Sequence, residues 1–337
     1  VDSERHAGRR QQVRSERRPR IQAWSPDERR PRRERKRWNM YADDERVVAD
    51  QAGTEASSAT ATGLRPVERV AVVGGGIMGG GIATSLLMHG LHVTLIDPDE
   101  AALQRASERL AKRNDADAMR TRLTLATEIG AAVEAVDFAI EAAPERLELK
   151  RDLFRRLDDA APEHAVLASN TSELSVTAIA GATRRPERVV GMHWFNPPER
   201  MQLVEIVQAV QTSDATLAST VALAERCGKT TVTVADRQGF VTTRAVAALL
   251  LEGTRMLEEG VASARDIDTA VKLGLNHPMG PLELSDYIGL DTMLLIAESM
   301  TEALGERFRP PQTLRKLVEA GRLGRKSGHG FYHYDQD

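Results

Sequence analysis

The segment from Arg69 to Asp97 constrains the fold most. Arg69-Val-Ala-Val-Val73 is a short apolar β run that ends in Gly74-Gly75-Gly76-Ile77-Met78-Gly79. Ile82 to His89 has helical patterning and stops at Gly90, and a second β run, Leu91 to Ile96, ends in Asp97. This order predicts a βαβ unit of about 30 residues. Each glycine of the G-x-G-x-x-G pattern has its own reason. Gly74 permits the tight turn, Gly76 lets backbone approach a pyrophosphate, and Gly79 lets the helix pack close to the strand. The helix start at Ile77 and Met78 turns unpaired N–H groups toward the phosphates. Asp97, 18 residues after Gly79, is placed to accept from ribose hydroxyls. Its charge repels a 2′-phosphate, so NAD is expected over NADP. The bland alternative is a glycine-rich turn in an unrelated α/β protein; strand, glycines, helix, strand and acid in order argue against it.

The alternation continues. Residues 100–114 and 146–158 read as helices, and 122–126, 137–141, 165–168, 188–192, 202–207 and 230–234 as strands. Strands alternating with helices predict a parallel, doubly wound sheet. Beyond Val234 the β signal stops. Residues 239–259, a segment from Ser263 to Gly274, 282–304 and 313–320 have helical patterning. Ser263 can cap, and Asp266 sits in the positive first turn. The expected fold is α/β: a Rossmann-type doubly wound sheet over residues 64–237, then a smaller all-helical C-terminal domain over 238–337. A cleft between two such domains is the default place for a ligand.

Two residues suggest chemistry. The strand 188–192 delivers His193, and Trp194-Phe195-Asn196-Pro197-Pro198 follows as a turn. Glu205 lies in the next strand, flanked by Leu203, Val204, Ile206 and Val207. A carboxylate in such a run is costly to bury unless paired, and His193 is a nearby candidate partner. A His–Glu pair suits alcohol oxidation, with the imidazole taking the hydroxyl proton and the carboxylate orienting it. Spacing alone leaves open a structural histidine at a strand end, with Glu205 on a solvent face.

Composition bounds the rest. The 337 residues carry a net charge of −3 and 41% hydrophobic content, which is enough for a packed core. No stretch approaches the roughly 18 apolar residues of a membrane span. The single cysteine, Cys227, excludes an intramolecular disulfide and a cysteine-rich metal cage. A reducing cytoplasm is expected, and no metal. The average charge hides an asymmetry: residues 1–39 hold 13 Arg and one Lys against six acids, net +8, which leaves −11 for the remainder. Residues 1–63 show no periodicity that could form a core, so they read as a disordered Arg-rich extension, or as an upstream start with Met40 the alternative. A nucleic-acid-binding arm would use the clustered arginines on phosphates, but the interspersed acids weaken that reading. They also fit badly with an acid-poor mitochondrial presequence. Neither nucleic acid nor membrane is expected as a partner.

From Val67 to Tyr334 the chain resembles the short-chain L-3-hydroxyacyl-CoA dehydrogenase family, which includes 3-hydroxybutyryl-CoA dehydrogenases. The resemblance rests on VAVVGGGIMGGGIA, LIDPD, IEAAPERLELK, SNTSELSVTAIA, GMHWFNPPERMQLVEIV, GVASARDIDTAVKLGLNHPMGPLELSDYIGLD and GRLGRKSGHGFYHY, in that order. It implies NAD-dependent oxidation of an L-3-hydroxyacyl-CoA, with His193 catalytic and Glu205 its partner. It further implies Ser172 and Asn196 at the substrate, Glu145 and Lys150 near the nicotinamide ribose, and a homodimer formed through the helical domain. Two departures stand out. The family's PGFxxNR is Gln238-Gly-Phe-Val-Thr-Thr-Arg244 here, so Thr243 stands where a substrate-contacting asparagine is usual. The 43 residues between Asp97 and Glu141 are also too few for the family's longer helical hairpin, which helps hold CoA. The same chemistry on a carrier-bound or free β-hydroxy acid is therefore an alternative, and a non-catalytic NAD-binding protein is a further one.

Overall fold

The computed structural model describes residues 65–113 and 115–334. The Arg-rich extension lies outside them. An eight-stranded sheet has the order β3-β2-β1-β4-β5-β6-β7-β8. Its strands are β1 (Arg69–Val73), β2 (His92–Ile96), β3 (Leu123–Ala126), β4 (Phe138–Glu141), β5 (Val166–Ser169), β6 (Val189–Trp194), β7 (Leu203–Gln208) and β8 (Thr230–Ala235). The helices that connect and flank it are α1 (Ile77–Met88), α2 (Glu100–Ala111), α3 (Ala116–Arg120), α4 (Leu147–Ala160), α5 (Val176–Ala180) and α6 (Asp214–Arg226). Alternating side chains bury both faces of the sheet. Val70 and Val72 of β1 join Ile82 and Leu86 of α1 and Leu103 of α2 on one side. Ala71 and Val73 join Phe154 and Leu157 of α4 and Ile179 of α5 on the other. This is the period of two that a doubly covered sheet requires.

One expectation is corrected. The sheet is not wholly parallel: β6 pairs with β7 antiparallel, and β8 then runs parallel to β7. The cause is connection length. Only residues 195–202 separate β6 from β7, and a parallel return needs a crossover of about a dozen residues or more.

Helices α7 (Thr242–Glu258), α8 (Ala264–Gly274), α9 (Pro281–Ile288), α10 (Leu290–Leu304) and α11 (Gln312–Glu319) complete the chain. Leu250 and Leu251 of α7 pack with Met293 and Ala297 of α10 and Leu314 of α11 in a core of their own. Ser263 caps α8 as expected, accepting from the Asp266 N–H. The stretch read as one helix over 282–304 is two. Gly289, at φ 104°, breaks it between α9 and α10. Among the described residues no helix is long and apolar enough to cross a membrane.

Candidate active site

The dinucleotide cradle has the shape its glycines predict. Gly74 sits at φ 114°, where a Cβ would meet the Ala142 carbonyl oxygen at 2.6 Å. A Cβ on Gly79 would lie 1.8 Å from the Gly74 carbonyl oxygen, whereas Gly76 faces open space. Helix α1 has no side-chain cap and no acid in its first turn, so its leading N–H groups are left for an anion. Ile77 is exposed, Met78 half-buried. These features fit a bound pyrophosphate. Asp97 follows β2 directly, half-buried, with Oδ2 accepting from Gly75 N–H at 2.6 Å and Oδ1 from Asp99 N–H at 2.8 Å. Through these two bonds it anchors the glycine turn.

The antiparallel β6–β7 register sets His193 directly opposite Glu205, so both side chains leave the same face. His193 Nδ1 lies 2.8 Å from Glu205 Oε2. Glu205 is 0% exposed, yet its oxygens are satisfied. Oε1 accepts from the N–H groups of Val241 (3.2 Å) and Thr242 (2.9 Å), and Oε2 also accepts from Thr242 Oγ1 (2.8 Å). Burial works against the ionised carboxyl, but the bonds from His193 and Thr242 outweigh it and hold Glu205 below the usual carboxylate range. An ionised carboxylate only accepts, so Nδ1 carries the proton and Nε2 of neutral His193 keeps its lone pair. The rings of Phe195 and Phe240 stand 4.5 and 5.9 Å from the imidazole, centroid to centroid, and help to wall it from water.

The loop after β5 is mounted on a buried polar network. Glu141, fully buried at the end of β4, accepts from Lys150 Nζ (2.7 Å), Ala143 N–H (2.6 Å) and Ser169 Oγ (2.7 Å). The Lys150 ammonium, 1% exposed, also reaches the Ala143 carbonyl and Glu145 Oε2, both at 3.2 Å. Its three donors are thus spent on protein atoms. Glu145 Oε1 takes the Thr171 hydroxyl, Ser172 N–H at 2.9 Å and Glu173 N–H at 3.3 Å. Burial opposes its ionisation, but Lys150 and these donors keep it below the usual range. Asn170 Oδ1 accepts Trp194 N–H at 2.8 Å, which ties the loop to the His193 strand.

Of the residues nominated from sequence, His193 and Glu205 are brought together, and Ser172 stands half-buried on the loop that Glu145 holds. Asn196 is exposed on the turn after β6. Thr243 is buried in the first turn of α7, and it is the neighbouring Thr242 that bonds Glu205. Glu141, Asn170 and Thr242 were missed. Glu141 carried the same signal as Glu205, an acid within an apolar strand; the other two carried none that spacing could reveal.

Family models place residues 69–237 with the NAD-binding domain, and 239–334 with the C-terminal domain, of 3-hydroxyacyl-CoA dehydrogenase. The chain belongs to the 3-hydroxyacyl-CoA dehydrogenase family. Its fold is that family's, its cofactor is NAD, and it is an oxidoreductase. The chain is 42% identical over 283 residues to a probable 3-hydroxybutyryl-CoA dehydrogenase of Bacillus subtilis, covering 80% of this chain and 98% of that one. It is 41% identical to the mitochondrial hydroxyacyl-coenzyme A dehydrogenase of Homo sapiens, over 80% and 91%. The crystal structure of (S)-3-hydroxybutyryl-CoA dehydrogenase PaaH1 from Ralstonia eutropha superposes with a TM-score of 0.77 at 39% identity, over 80% of this chain and all of the other.

Proposed function

We propose that this dehydrogenase oxidises short-chain L-3-hydroxyacyl-CoA, of the 3-hydroxybutyryl type, to the 3-ketoacyl-CoA. The observation that carries the reading is the buried His193–Glu205 pair, whose Nδ1 bond leaves Nε2 free to act. Bound NAD supplies the hydride acceptor. Nε2 of His193 takes the 3-hydroxyl proton as the C3 hydrogen leaves with its electron pair, and Glu205 stabilises the imidazolium. In the reverse direction His193 returns the proton. Positioned acid–base catalysis of this kind contributes roughly 10²–10⁴-fold. Ser172 steadies the reacting oxygen, and Asn196 and Thr243 contact the acyl group. Gly74, Gly76, Ile77, Met78 and Gly79 would receive the pyrophosphate of NAD and Asp97 its adenosine ribose. Glu145, braced by Lys150, would hold the nicotinamide ribose.

The helical domain exposes Val261, Leu273, Leu275 and Leu295, which supports a homodimer formed through it. The short span between β2 and β4, which among the described residues holds only α2 and the five-residue α3 as α-helices, supports a second reading in which the acyl group rides on a carrier or is free. A panel of CoA thioesters of several lengths, a carrier-bound thioester and free 3-hydroxy acids, with NAD and NADP, decides between them. The highest kcat/KM is expected with 3-hydroxybutyryl-CoA and NAD. Preference for NADP, or for a free acid, would refute the assignment.

A further inference from the structure

Lys229, just before β8, is a buried cation that the chemistry above does not use. It is 8% exposed. Its Nζ donates to the carbonyls of Pro198 at 2.7 Å and Met201 at 2.9 Å, and lies 5.5 Å from the centroid of the Trp194 ring. Burial makes the ammonium easier to deprotonate than an ordinary lysine, with the neighbouring Cys227 and Glu199 opposing. A chain rarely buries a lysine without a paired acid unless its position matters. Both carbonyls belong to the turn that leaves the His193 strand, which closes on itself through Arg200 and Met201 N–H groups bonded to the Pro197 carbonyl. The far side of that turn rests on the dinucleotide helix. A Cβ on Gly81 of α1 would meet Pro198 Cδ at 2.7 Å and Glu199 Oε2 at 3.1 Å. One ammonium therefore joins the sheet edge, the indole beside His193, and the turn seated on α1.

We propose that Lys229 is a positioning residue of the dehydrogenase: it fastens the Pro197–Met201 turn against α1 and so sets Asn196, at the head of that turn, relative to His193 and the dinucleotide. The assignment rests on the functional reading above, in which Asn196 meets the acyl group. Misplacement of a substrate-orienting group by about 1 Å can cost on the order of 10²-fold. The cradle glycines and Asp97 do not touch Lys229, so cofactor affinity should be spared.

The test measures kcat and KM for 3-hydroxybutyryl-CoA with NAD, alongside NADH affinity by fluorescence titration. Lys229→Met keeps the stem and removes the donors. It should lower kcat/KM by roughly 10–10²-fold, chiefly through the KM for the thioester, with NADH affinity unchanged. Lys229→Arg, which keeps charge and donors, should recover part of the loss. Gly81→Ala disturbs the same seat from the α1 side and should raise the same KM. Combined with Lys229→Met it should give less than the product of the two effects, because both act through one turn. A folded Lys229→Met enzyme with wild-type KM and kcat overturns the proposal. So does one that loses NADH affinity and thermal stability together without a change in thioester KM. If Lys229→Met does not fold, Gly81→Ala decides: a wild-type KM there overturns it. A wild type that turns over no hydroxyacyl-CoA would sink the functional reading first, and this assignment with it.

Discussion

Glu173 follows Ser172 on the loop above the buried network, and its carboxyl is poorly served. Oε2 is buried with no hydrogen-bond partner among the described residues. Burial, and next to it the charge of Glu145, push the group from an ordinary 4.5 up to about 7, and a hydrogen bond with Ser299 of α10 only partly offsets them. For an acid whose folded value is raised, the native state binds more protons than the unfolded chain between those two values. The stability it contributes is full below about 4.5, falls through the window, and is lost above about 7. At about 1.4 kcal/mol per tenfold, the whole displacement corresponds to about 3 kcal/mol. The group is partly exposed, and solvent screening reduces this to roughly 1–2 kcal/mol. Glu173→Gln is neutral at every pH, so its stability relative to wild type should climb by roughly that 1–2 kcal/mol from about pH 5 to about pH 8. Urea unfolding at fixed ionic strength, with midpoints and m-values at each pH, measures the difference. Any constant cost of the amide cancels, because only the pH-dependent part is compared. Parallel stability curves for the two proteins would refute the reasoning.

Glu205→Gln keeps the shape of the pair and removes its charge. Turnover in the steady-state oxidation assay should fall, because the imidazolium formed in the reaction loses its counter-charge, and unchanged turnover would deny Glu205 that role. Adding this change to His193→Ala, itself costing roughly 10²–10⁴-fold, should lower kcat little further, since the carboxylate acts through the imidazole; multiplying losses in steady-state assays would deny the pairing. Gly79→Ala pushes a Cβ against the Gly74 carbonyl oxygen, 1.8 Å away, and should cost about 1–3 kcal/mol of overpacking strain. NADH titration should show weakened binding, and an unaltered affinity would mean that the glycine turn does not form the cradle.

What can be read from sequence follows the distance over which each constraint acts. The dinucleotide unit is legible because turn, helix entry, strand ends and the acid after β2 all fall between Arg69 and Asp97. The reversal of β7 was legible too, from the eight residues 195–202 that cannot hold a crossover helix. The alternating pattern, which looks the same in either strand direction, hid it. Thr242 and Thr243 show a different limit. Successive helical residues are turned about 100° apart, so only the entry geometry of α7 decides which threonine reaches Glu205. Glu141 shows a third. Its partners Lys150 and Ser169 lie 9 and 28 residues away, and no local pattern names them. Yet its need for partners was visible, because a strand covered on both faces offers an acid no water. An acid inside an apolar strand of a doubly covered sheet must therefore be bonded, and its donors come from whatever the neighbouring strands and loops bring beside it. For Glu205 that is the histidine and the α7 entry, and for Glu141 the base of the Ser172 loop. Both acids mark the candidate site for the same physical reason, although only one of them had a histidine close enough in sequence to draw attention to it.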